Sequence, residues 1–116
     1  PTRRSSDLAK GAQLTAHIDA AALPLLPGIQ AFAEQGVVTG ASGRNWAAYG
    51  EHVVLGEHIS ASQRAVLTDP QTSGGLLVSC RPEVAPQVLE IFTRHGFGAA
   101  RVIGTMQTGP AQVQVQ

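Results

Sequence analysis

Thr68-Asp69-Pro70-Gln71-Thr72-Ser73-Gly74-Gly75-Leu76-Leu77 is a polar turn set between a helical pattern and an apolar run. Asp69 before Pro70 is held out of the α region, because the proline ring crowds the preceding residue. Gln71, Thr72 and Ser73 add side-chain hydrogen-bonding groups. Gly74 and Gly75 permit positive φ and let a second backbone, or a ligand, come close. A simple turn needs less polar capacity than residues 71–74 provide, so part of the stretch is expected to face a ligand or a partner domain. The candidate site residues are therefore Asp69, Gln71, Thr72, Ser73, Gly74 and Gly75.

Working outward, residues 60–67 read as a short helix leading into the turn, and residues 75–79 as an apolar strand leaving it. Residues 82–95 give the clearest helix: Val84, Val88, Ile91 and Phe92 recur at helical spacing and Leu89 widens the stripe. Pro82 suits its first turn and Gly96 the position after its last. Residues 99–106 read as a strand, Thr108-Gly109-Pro110 as a turn, and residues 111–115 as an alternating strand. The last two strands should run antiparallel, with Gln112, Gln114 and Gln116 facing water.

Upstream, residues 37–56 hold four glycines and read mostly as loop. Within them Ser42 could cap a helical turn containing Trp46 and Tyr49. A helix from about Pro27 is closed by Gly36. Residues 14–19 alternate as a half-buried strand. Residues 1–7 show no periodicity and read as an end that is disordered or foreign to the domain, leaving 8–116 as the domain proper. Mixed strands and helices in this order make an α+β fold, with helices layered on a mixed sheet.

The chain has 116 residues, which is one domain's worth, and 43% are hydrophobic, enough for a real core. Eight basic and eight acidic residues cancel. That balance gives no electrostatic footprint for nucleic acid, and no apolar run is long enough to span a bilayer. A single cysteine, Cys80, can form neither an internal disulfide nor a metal cage, which suits a reduced, cytoplasmic protein. Following an apolar run, Cys80 is expected to be buried and inert. The four histidines lack zinc spacing. Asp69, Asp19 and Glu51 form no paired-carboxylate pattern. Trp46 and Tyr49 suit a core or an interface better than adenine stacking. Arg44 and Asn45, in a glycine-rich stretch, read either as phosphate or interface contacts or as solvated surface.

Asp69 to Leu77 closely resembles the DPQTSGGLL signature of the selenophosphate synthetase (selenide, water dikinase) family. Leu23-Pro24-Leu25-Leu26-Pro27-Gly28 and Gly43-Arg44-Asn45-Trp46-Ala47-Ala48-Tyr49-Gly50 agree with it in order and spacing. The resemblance runs from about Leu8 onward. It implies the C-terminal domain of a two-domain enzyme with the fold of aminoimidazole ribonucleotide synthetase. That enzyme uses ATP and magnesium to phosphorylate selenide and forms a homodimer through its N-terminal domains. The family's nucleophile, its lysine and its metal-binding aspartates lie upstream of the matched region. No catalytic or metal-binding residue is therefore expected here, and this chain alone should be inactive and bind neither ATP nor magnesium tightly. Its natural partner is then the N-terminal catalytic domain. Two alternatives stay open: a thiamine-monophosphate kinase or aminoimidazole ribonucleotide synthetase relative, and a regulatory or dimerisation module without enzymatic activity.

Overall fold

The computed structural model describes residues 2–71 and 74–116. Five α-helices, α1 (Thr2–Ala12), α2 (Ile29–Glu34), α3 (Gly40–Tyr49), α4 (Ala61–Leu67) and α5 (Ala85–Arg94), accompany a four-stranded sheet. Its strands are β1 (Thr15–Ile18), β2 (Val53–Leu55), β3 (Gly104–Gln107) and β4 (Val113–Val115), in spatial order β2-β4-β1-β3. The sheet is mixed: β4 runs parallel to both β1 and β2, while β3 is antiparallel to β1. This is the α+β architecture expected from the sequence.

Register explains the core. Ala16 and Ile18 sit opposite Val113 and Val115, which in turn sit opposite Val53 and Leu55. A period of two puts all six on one face of the sheet. There they pack with Ala9 of α1 and Leu67 of α4, and half-buried Trp46, Tyr49, Ile59, Ile103 and Met106 close around them. The opposite face carries His17, Gln114 and the half-exposed Val54.

Residues 2–7, expected to lack structure, instead form the first turns of α1. Its inward stripe is Thr2, Ser5, Ser6 and Ala9, all buried. The spacing is helical, but the residues are small and mostly hydroxylated, so no hydrophobic period announces it. Residues 37–56 are likewise more ordered than expected. Thr39 precedes α3, and Ser42 lies inside that helix, buried, rather than at its cap. Two glycines weaken α3's intrinsic propensity, so its side-chain bonds to neighbouring elements must support it. The short strand β2 follows it.

Downstream, residues 75–79 form no strand, and Leu76 is 79% exposed. Only Gly104–Gln107 of the expected 99–106 strand pairs. The last two strands do run in opposite directions, but β1 lies between them and they are not partners. The helix over 82–95 is present as a 3-10 turn, Pro82–Val84, running into α5, and Gly96 at φ 87° closes it. None of the residues of α5 is buried. Cys80, expected inside, is exposed, because the strand that would have carried it inward does not form.

Candidate functional site

The turn quoted at the outset begins where α4 ends, and that end is held unusually well. A helix leaves its last carbonyls without intrahelical partners. Here Thr68 at the helix's own end and side chains from α1 and α3 take several of them. The Thr68 hydroxyl donates back to the Arg64 carbonyl at 2.9 Å. Ser42 Oγ of α3 donates to the Ala65 carbonyl at 2.9 Å. Thr2 Oγ1 of α1 donates to the Leu67 carbonyl at 3.1 Å, and lies 3.2 Å from the Tyr49 hydroxyl. Asn45 Nδ2 of α3 donates to the Thr68 carbonyl at 2.9 Å. Thr39 Oγ1 then donates to the Asp69 carboxylate at 3.1 Å. The base of the turn is therefore clamped by α1 and α3 together.

At its start α4 is fixed by its own sequence. Ser60 Oγ accepts from the Gln63 amide at 3.2 Å while Gln63 Oε1 accepts from the Ser60 amide at 2.8 Å, a reciprocal cap. The Arg64 guanidinium lies 5.2 Å from the centre of the Trp46 ring, a cation–π contact that joins α4 to α3. This places Trp46 at a packing seam, as its sequence setting suggested, and Tyr49 beside it.

Among the described residues, the loop beyond Asp69 carries no such side-chain clamp. Gln71 is exposed, Gly74 half-buried and Gly75 exposed; Thr72 and Ser73, the remaining candidates, lie outside the described residues. Gly75 does not have positive φ, so left-handed backbone is not the reason for it. A Cβ on Gly74 would lie 3.2 Å from Gln71 Oε1 and 3.4 Å from Arg4 Nη2, whereas one on Gly75 would meet nothing. Arg4 of α1 thus flanks the tip, and no motif pointed to it.

The structure separates Arg44 from Asn45. Asn45 is committed to the Thr68 carbonyl, while Arg44 is exposed beside Gly40. Asn45 also borders a notch of about 280 Å³ between α1 and α3, with Arg3, Asp7, Lys10 and Tyr49 around it. A larger open groove of about 820 Å³ lies elsewhere, walled by Leu23, Pro24, Leu25, Leu26 and Pro27 and floored by Gln30 and Gln63. Among the described residues no three His, Cys, Asp or Glu side chains converge as metal ligands, and no helix is long and apolar enough to cross a membrane.

A mixed sheet under α1 and a clamped turn of this sequence define a domain class. Residues 3–116 match the family described as AIR synthase related protein, C-terminal domain, and the chain belongs to that family. Among individual proteins it is similar to the selenide, water dikinase of Pseudomonas straminea, 62% identical over 109 residues. It is 56% identical to that of Burkholderia orbicola (strain MC0-3) and 46% to that of Rhizobium meliloti (strain 1021). Each match covers 94% of this chain, and the chain spans about 30% of the length of these relatives.

Proposed function

We propose that this chain is the C-terminal domain of an ATP-dependent phosphotransferase that makes selenophosphate from selenide, and that the tip of the 69–75 loop faces the reacting groups. The observation that carries this reading is the contrast within the loop. Its base is fixed by Thr2, Thr39, Ser42 and Asn45, while Gln71 and the Gly75 backbone are left open. A turn that served only to connect α4 to the next segment would not need four side chains from elsewhere in the chain to set its position. Rigid support under an exposed polar tip is what a contact with a ligand or a partner domain requires.

In this reading the nucleophile and the magnesium ligands belong to the N-terminal part of the longer protein. Asp69 is the carboxylate of the loop, and it is tied to Thr39, so the described residues do not fit a magnesium cage. ATP would be held chiefly elsewhere, with Gln71 and the glycine backbone closing over it. The complete enzyme would be a cytoplasmic homodimer.

Two measurements test this. The 116-residue chain alone should release no AMP from ATP in a selenide-dependent manner; turnover comparable with a full-length enzyme would overturn the proposal. In a full-length enzyme carrying this domain, Gln71→Ala and Gly75→Ala should lower turnover or ATP binding while thermal unfolding stays unchanged. Normal turnover in both variants would remove the loop from the active site.

A further inference from the structure

Charge is unevenly shared along a chain that is neutral as a whole. The three helices at the base of the 69–75 loop, α1, α3 and α4, carry five of the eight basic residues: Arg3, Arg4, Lys10, Arg44 and Arg64. They carry one of the eight acidic residues, Asp7. Cations gathered on one part of a neutral surface draw anions to it.

One of these cations reaches the loop itself. A Cβ on Gly74 would lie 3.4 Å from Arg4 Nη2 and 3.2 Å from Gln71 Oε1, so guanidinium and carboxamide flank the same backbone position. Arg4 is exposed, and among the described residues no carboxylate pairs with it, whereas Arg81 and Arg94 pair with Glu83 and Glu90. The loop's own carboxylate, Asp69, is taken by Thr39. The positive charge beside the tip is therefore not neutralised by its surroundings.

The chemistry offered at this point is that of an oxyanion site. A guanidinium presents a planar fork of donors that matches two oxygens of one phosphoryl group. The Gln71 carboxamide adds two N–H donors, and open space at Gly75 lets a ligand come close to the backbone. Nothing comparable is offered to a nucleobase. Trp46 and Tyr49, the only rings on the three helices, are engaged by Arg64 and Thr2.

We propose that Arg4 is an anion-binding residue of the loop site and that, with Gln71 and the Gly75 backbone, it receives a phosphoryl oxyanion. This rests on the reading that the tip faces the reacting groups, and it names the part of the substrate held there: phosphate oxygens rather than the base. The phosphoryl group belongs either to the phosphate chain of ATP or to free phosphate.

Titration of the 15N-labelled 116-residue chain with inorganic phosphate, ATP and adenosine, at constant ionic strength, tests this by NMR. Phosphate and ATP should shift the Gly74 and Gly75 amides and the Arg4 Nε signal saturably, and adenosine should not. Tighter saturation by ATP assigns the tip to the nucleotide and equal saturation to free phosphate; both carry the proposal. Arg4→Ala should raise the half-saturating phosphate concentration roughly tenfold or more with thermal unfolding unchanged. Arg101→Ala, which removes the same charge from the larger groove, should leave it as it was. Absence of saturable shifts, shifts that survive Arg4→Ala, or equal weakening by Arg101→Ala would overturn the proposal. The assay reads binding and not turnover, so its failure is distinct from that of the loop's place in the active site, which the turnover of Gln71→Ala and Gly75→Ala decides.

Discussion

Gly104 occupies a place where a Cβ would run into the carbonyl of His17 on the neighbouring strand, so the closeness of β1 and β3 depends on a missing side chain. Gly104→Ala should therefore lower folding stability by about 2 kcal/mol or more, measured by urea unfolding, since backbone must move to admit the methyl group. Gly75 is the opposite case. It has open space and ordinary φ, and Gly75→Ala should change stability by less than about 0.5 kcal/mol. Cys80 is exposed, so a thiol reagent should modify it in the folded chain nearly as fast as after denaturation. A strongly retarded reaction in the folded chain would show that its surroundings close over it.

At the scale of elements, α4 combines a reciprocal cap at its start with borrowed donors at its end. Ser60→Ala should cost about 1 kcal/mol in thermal or urea unfolding, as the loss of an N-cap does. The parts of the fold legible in the sequence were those with a hydrophobic period or a punctuating residue: β1, α2, α4, α5 and the Gly36 and Gly96 stops. What stayed hidden lacked either signal. The buried stripe of α1 is made of Thr2, Ser5, Ser6 and Ala9, and α3 carries two glycines and depends on Ser42 and Asn45 reaching α4. Residues 75–79 have strand composition, but composition does not decide whether a neighbouring edge receives them. The candidate loop was legible as a stretch. Its supports Thr2, Arg4 and Thr39 were not, because isolated hydroxyl and guanidinium groups from distant segments follow no local pattern.

For the molecule as a whole, large apolar side chains stand open on its surface, among them Ile91, Phe97 and Val102. The T-shaped contact of Phe92 with Phe97 at 6.4 Å covers only part of this area. Contiguous apolar surface of more than a few hundred Å² marks an interaction face. If that surface persists in solution, the 116-residue chain should bind an apolar fluorescent dye and self-associate at high concentration, as read by sedimentation. A monomeric chain with no dye binding would place these side chains against its own sheet.

The position of β4 has a kinetic consequence. Among the described residues its three, Val113–Val115, form the only bridge between β1 and β2, which are not neighbours in the sheet. β2, made early, must therefore wait without a partner for a strand made some sixty residues later, and β1 can pair only with strands made later still than β2. Closing so wide a gap before any ladder forms is slow, because the entropy of loop closure is lost before the contacts repay it. During synthesis Ala16, Ile18 and Val53 remain sticky and without a sheet, so this interval is when the nascent chain most needs protection from aggregation.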